Sequence, residues 1–353
     1  MNQAPFFWDE YSDQPHVIKD KAYKKAMRKR YVLDYVKLLL SSLIVLPFAI
    51  LVMKFFSKKQ NIDNSFFGMG VNLDKGNDQQ ELIEELGIKH LIIRLPLWEM
   101  DKIDEYVTFA QSFNVQNKKH ILLNIMQDRV HIEDGKLLKE DLNIILTKFD
   151  GIVDEYQIGT TINRAKWGFF SVKEYLDFYL IAQKLKKEHF PHVQLIGPSM
   201  IDFEYYYTIR ALFNTFNVEF DKVNALLYVD RRGGPSNTQY GFFDTHNKID
   251  LLYTLVKLSS KCKSDDVYIT EVNWPLSNTA PYAPTSEKEC VSCDTYTKYM
   301  KEYHEIAINT GKVRRVYWHQ LIAPGYGLVD NREGKLIKLP QFYAYKEMVQ
   351  HYG

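Results

Sequence analysis

The sequence predicts an α/β protein in which eight alternating strand and helix units close into one barrel, behind a single apolar N-terminal helix. Three observations carry this expectation. Eight short apolar runs recur between residues 66 and 319, and amphipathic stretches with apolar residues at three- and four-residue spacing separate them. An uncharged run of 16 residues, 38–53, lies between Lys37 and Lys54 near the start of the chain. With 353 residues, 46% of them hydrophobic and 25% charged, the chain can fill one large core.

From the N-terminus, residues 1–34 read as a basic cytoplasmic tail, flexible over 1–18. Within it, KDKAYKKAMRKR (19–30) holds seven Lys or Arg and one Asp. Its charge is local, since the whole chain has a formal net charge of +1, which argues against a nucleic-acid partner. Residues 35–56 read as a transmembrane anchor. The uncharged run spans about 24 Å, a little under the ~30 Å hydrocarbon core, and Lys37, Tyr35, Phe55 and Phe56 can extend it into the interfaces. A helix buried in a protein core is the other reading. A cleaved signal peptide fits poorly, because a long basic segment precedes the run and MKFFSKKQ follows it. The excess of basic residues before the run predicts an N-terminus in the cytoplasm and the chain from about residue 60 outside the inner (plasma) membrane, in a periplasm if the source is Gram-negative.

Residues 57–64 form a short linker, and the barrel occupies 65–353. Its expected strands are FFGMGV (66–71), HLIIRL (90–95), HILLNI (120–125), EYQIG (155–159), VQLIG (193–197), VNALLYV (223–229), VYITE (267–271) and RRVYWH (314–319). Stretches such as DQQELIEELG and SVKEYLDFYLIAQKLKKEHF supply the helices between them. Eight such units match a (β/α)8 TIM barrel better than an open doubly wound sheet, and GMGVNLDKGND lacks the GxGxxG turn of a dinucleotide fold. Cys290 and Cys293, in ECVSC, suit a small disulfide loop or two idle thiols better than half of a zinc site, with Cys262 alone. Neither a metal nor a cofactor is expected.

In such a barrel the chemistry lies where strands run into the loops that follow them. The candidates for substrate contact are therefore Arg94 and Trp98 after the second strand, Asn124 and Arg129 after the third, and Thr161, Asn163 and Arg164 after the fourth. Tyr228, Arg231 and Arg232 follow the sixth, Asn273 and Trp274 the seventh, and Trp318, His319 and Tyr326 the eighth. Glu271 is the carboxylate at the tip of the seventh strand. Rings that pack on sugar C–H faces, with amides and carboxylates that hold hydroxyls, point to a carbohydrate site.

GMGVNL, LGIKHLIIRLPLW, IGTTINRAKWG, VYITEVNWPL and VYWHQLIAPGYGLVD resemble, in order and spacing, the barrel of glycoside hydrolase clan A over about residues 65 to 350. In that clan a glutamate at the tip of the fourth strand, within an Asn-Glu-Pro type sequence, is the acid/base, and one at the tip of the seventh is the nucleophile. The resemblance implies that Glu271 is the nucleophile. It aligns Thr161 with the missing acid/base glutamate, and a threonine hydroxyl cannot act as a general acid near neutral pH. Retaining glycosidases need two carboxyls ~5 to 5.5 Å apart. Either another carboxyl group supplies the proton, with Asp128, Asp230, Asp202 and Glu204 in reach of the rim, or the barrel binds and presents sugar while a partner does the chemistry.

The loops after strands carry Arg129, Arg164, Arg231 and Arg232, in a chain that otherwise prefers Lys, and guanidinium forks match carboxylates and phosphates. An acidic glycan follows. With an inner-membrane anchor, the candidate substrate is a lipopolysaccharide intermediate bearing Kdo (3-deoxy-D-manno-octulosonic acid). The overall plan also resembles the membrane-anchored component of two-subunit Kdo hydrolases, which implies a second, sialidase-like hydrolase subunit as partner.

Overall fold

The computed structural model describes residues 6–114 and 117–353; residues 1–5 of the expected tail lie outside the described residues. A small hairpin opens the chain, β1 (Trp8–Asp9) paired antiparallel with β2 (Gln14–Pro15), followed by helices α1 (Lys21–Arg30) and α2 (Val32–Val52). The alternating part then runs β3 (Phe67–Val71), α3 (Gln79–Leu86), β4 (His90–Pro96), α4 (Ile103–Ser112), β5 (His120–Met126), α5 (Arg129–Glu133), α6 (Gly135–Lys148) and β6 (Glu155–Ile158). It continues with α7 (Val172–His189), β7 (Gln194–Ile201), α8 (Tyr205–Leu212), β8 (Lys222–Leu226), α9 (Thr245–Leu258), β9 (Val267–Ile269), α10 (Cys293–Thr310) and β10 (Val313–Trp318). A two-stranded ribbon, β11 (Val329–Asp330) with β12 (Ile337–Lys338), and helix α11 (Pro340–His351) complete it.

Strands β3 to β10 form a closed parallel barrel, β10 pairing with β3. Each of the eight apolar runs supplies one strand. Local chemistry sets the helix starts: Asp134, Ser171, Asp244 and Ser292 cap α6, α7, α9 and α10 by accepting backbone N–H groups of the first turn. Gly87 and Gly311 close α3 and α10 in the left-handed conformation.

The barrel interior is layered. Ile92, Leu122, Ile196, Tyr268 and Tyr317 make an apolar floor. Above it lies an amide layer: Gln157 donates to Asn124 at 3.0 Å, and Asn224 donates to Gln157 at 2.9 Å and to Thr270 at 2.8 Å. Asn124 was expected at the site, but its side chain is buried in this layer, where each polar group needs a neighbour's complement.

Helix α2 is the one helix among the described residues long and apolar enough to cross a membrane, by length and composition. It starts three residues before the expected anchor and lies against α8 and α9. Asp34, Ser42 and Ala49 face the barrel, while Val36, Leu40, Leu43, Phe48 and Leu51 are exposed. Both ends are tied down. At the N-terminal end Arg210 of α8 donates to Asp34 at 2.7 and 3.0 Å, and Tyr35 donates to the Phe170 carbonyl at 2.6 Å. Beyond the C-terminal end, Lys54 pairs with Asp250 at 2.7 Å. The segment before it is tied down too: Ile18, Met27 and Phe170 share a small apolar cluster, and Tyr31 donates to Glu174 at 2.7 Å. A helix that crossed a bilayer would carry residues 6–31 away from these partners, so this packing and a crossing topology cannot hold at once.

Cys262, Cys290 and Cys293 are free thiols, so the pair in ECVSC takes the idle-thiol alternative.

Candidate active site

Glu271 stands two residues past β9 and lines a cavity of about 190 Å³ at the mouth of the barrel. Arg94 of β4 donates to Glu271 Oε2 at 2.9 Å, and the Tyr228 hydroxyl donates to Oε1 at 2.6 Å. Arg232 lies over the Tyr228 ring, 3.5 Å from its centroid. Burial alone would raise the Glu271 carboxyl, but His319, Arg94 and the hydrogen bond from Tyr228 outweigh it and hold the group at about 2. His319 is itself pushed down to about 4 by burial and by Arg94. It is therefore neutral at pH 7, and the charge that keeps Glu271 ionised there is the Arg94 guanidinium. His319 Nε2 lies 3.0 Å from Arg94 Nη2 and accepts from it, so the ring keeps its proton on Nδ1. Tyr326 stacks on the His319 ring, centroids 5.4 Å apart.

Beyond β6 the chain turns at Gly159, where φ is +78°, a left-handed conformation that other residues rarely adopt. Gln127 fixes the tip by accepting from Thr160 N and donating to the carbonyls of Thr160 and Trp167. Thr161 lines the cavity at φ +49°, and its hydroxyl is buried with no hydrogen-bond partner. The tip is thus built and aimed, but carries no carboxylate.

Several expected site residues serve the scaffold instead. Asp128 caps α5, accepting from His131 N at 2.8 Å and pairing with His131 Nδ1 at 2.7 Å, so it is not available as an acid. Arg129 is buried on Glu133, Glu174 and the Gly168 carbonyl. Trp274 and Trp318 are fully buried and stacked, centroids 6.0 Å apart, their N–H groups donating to the Arg232 and Gly233 carbonyls and to Tyr296. Asn163 braces the loop after β7 through Ile201 and Glu204. Asp230 and Arg231 line a separate cavity of about 400 Å³, which Arg164, Asp202 and Arg232 share with the first. Asp202 and Glu204 are both paired to Arg164. Trp98 lines a third cavity of about 420 Å³ together with Arg94. Asn273 stays on the first cavity, donating to the His319 carbonyl.

Three contributors were missed. Lys166 lines the cavity beside Trp167, from inside the IGTTINRAKWG segment, and burial together with Arg164 lowers the Lys166 ammonium to about 8. Gln320 lies in YWHQL, one residue past His319. Asp13 comes from the N-terminal hairpin and lines both the first and third cavities. Nothing in the local sequence pattern marks it.

No protein-family model matches the sequence, and no curated protein matches it. Solved structures do. A GH39 β-xylosidase from Caulobacter crescentus aligns with a TM-score of 0.60 at 13% identity, over 84% of this chain and 73% of that one. A family 1 β-glucosidase from Thermotoga maritima gives 0.58 at 12% identity, over 84% and 99%. A glycoside hydrolase family 30 subfamily 8 xylanase from Clostridium acetobutylicum gives 0.55 at 11% identity, over 83% and 73%. At these identities the likeness establishes the fold, a (β/α)8 barrel of the kind these glycoside hydrolases share. At that level it agrees with the resemblance read from the sequence.

Proposed function

We propose that the chain is a glycoside hydrolase-like protein acting on an acidic glycan, with Glu271 as the nucleophile. The observation that carries the proposal is a strand-end carboxylate kept ionised at the base of a cavity whose walls hold Arg94, Arg164, Lys166 and Arg232. An ionised carboxylate can attack an anomeric carbon, and Tyr228 and Arg94 orient its two oxygens. Cations on the walls suit a substrate that brings its own negative charge. Where the resemblance places an acid, Thr161 has none to give. Lys166 lines the same cavity with its ammonium, lowered to about 8, donating to Gln14, and is the candidate to protonate a leaving oxygen once a substrate takes the place of that contact.

The finer assignment is removal of Kdo from lipopolysaccharide or Kdo-lipid A as part of a two-component hydrolase with a sialidase-like partner. The cationic cavity and the resemblance support it. The outward face of α2, with Val36, Leu40, Leu43, Phe48 and Leu51 exposed, supports attachment to the inner membrane. The alternative is a non-catalytic sugar-binding subunit, favoured by the bare Thr161 tip.

The test is mass spectrometry of sugar released from Kdo-lipid A by the purified full-length chain, alone and with a sialidase-like partner. The enzyme proposal expects release that Glu271→Gln reduces by orders of magnitude. Release that needs the partner and survives Glu271→Gln would establish the binding subunit instead.

A further inference from the structure

The mouth of the barrel is plugged by the chain's own β1–β2 hairpin. The β1–β2 hairpin is closed by Asp9, which accepts from Tyr11 N at 3.1 Å and from the Ser12 hydroxyl at 2.7 Å. Trp8 packs against Trp98 and Trp167, centroids 5.4 and 5.8 Å apart, and Gln14 donates to the Pro284 carbonyl at 2.9 Å. The loop drives Asp13 inward, with φ at +48°, a conformation that a non-glycine residue adopts at a cost.

What receives Asp13 is a built carboxylate pocket. Gln320 Nε2 and the Tyr326 hydroxyl donate to Asp13 Oδ2 at 2.9 and 2.8 Å, and Lys75 Nζ lies 3.4 Å from the same oxygen. With the hairpin seated, Gln320 and Tyr326 are only 1% and 2% exposed, and Gln320 Nε2 also donates to the Tyr326 hydroxyl at 3.2 Å. Asn72 donates to Gln320 Oε1, which turns the Gln320 amide so that its N–H points at the carboxylate. The pocket adjoins the nucleophile: Arg94 donates through Nη2 to Glu271 and through Nη1 to the Asp13 carbonyl at 3.4 Å, and Tyr326 stacks on His319.

Resting on the acidic-glycan function, we propose that Lys75, Gln320 and Tyr326 form the subsite for the carboxylate of the substrate sugar, and that Asp13 fills it in cis as a tethered competitor. The acidic sugar must displace the hairpin to bind. Apparent affinity is then the intrinsic affinity multiplied by the fraction of molecules with the hairpin out.

The experiment uses the full chain in detergent, with free Kdo as the acidic probe and glucose as the neutral one. Titration calorimetry gives affinity, and hydrogen exchange of the amides of residues 6–20 reports the hairpin. Asp13→Asn should speed hairpin exchange and tighten Kdo binding about tenfold or more, and adding Lys75→Met should remove that gain. Kdo should also speed hairpin exchange in the wild-type protein. Equal Kdo affinity in the wild-type and Asp13→Asn proteins would overturn the tethered competitor while leaving an acidic substrate in place. Glucose binding without Kdo binding, in either protein, would overturn the acidic-glycan function itself. Unchanged hairpin exchange in Asp13→Asn would show that Asp13 does not hold the hairpin, and would also overturn the proposal.

Discussion

Replacing Glu271 by Gln keeps the shape of the side chain and removes the charge, so its effect on stability should depend on pH in a calculable way. The carboxyl is held at about 2, against its usual 4.5. That difference of about 2.5 pH units corresponds to at most about 3 kcal/mol of stability at neutral pH, because the share owed to His319 acts only while that ring is charged, below about pH 4. Because the folded value is the depressed one, this contribution is complete above pH 4.5 and is lost as pH falls through 2. At pH 3 about 1 kcal/mol should remain. The variant also leaves Arg94, whose side chain is 10% exposed, without its carboxylate. Urea unfolding of both proteins at pH 7 and pH 3 measures the gap, which should shrink by up to about 2 kcal/mol between the two. A gap that stays constant with pH, or a variant as stable as wild type at pH 7, would refute the ion pair as the source.

Thr161→Ala should leave turnover and the unfolding midpoint nearly unchanged, since the lost hydroxyl has no partner; a large fall in rate would return Thr161 to the chemistry. Affinity for Kdo should drop as pH rises through about 8, where Lys166 loses its proton, and Lys166→Gln should flatten that dependence; calorimetry at pH 6.5 and 9.5 decides. Asp34→Ala leaves Arg210 buried and unpaired, at a cost of about 3 to 5 kcal/mol. The freed α2 should also increase binding to anionic vesicles in flotation, and unchanged stability would mean that the helix is not docked there in solution.

The barrel was legible because its signals are local. Eight apolar runs and the helix periods between them depend on near neighbours, and a strand buried on both faces shows as a continuous apolar run. Glu271, Arg94, Tyr228, Arg232, His319 and Tyr326 share one cavity because strand tips converge by construction. Tips alone do not say which way a side chain turns. Asp128 and Arg129 follow β5 as expected, yet one caps a short helix and the other is drawn to Glu174, 45 residues on. Asp13 was out of reach for a different reason. Its partners Gln320 and Tyr326 lie more than 300 positions away, and no periodicity records a contact at that range. The apolar composition of 38–53 was equally visible, but the small and polar stripe of Asp34, Ser42 and Ala49 that fits it to a protein surface is spread too thinly to alter a hydropathy average.

The Asp34–Arg210 bond joins residues 176 positions apart. At 5 to 20 residues per second, the ribosome adds Arg210 roughly 10 to 35 seconds after Asp34. Once Val52 has been added, α2 is complete for the rest of that interval and its docking face on α8 has nothing to meet, while its apolar side is available to a lipid surface or to a chaperone. The order of synthesis therefore gives any lipid surface or chaperone the first access to the helix, and the barrel competes for it only later. How the newborn chain settles between the two is a question of elapsed time as well as of affinity.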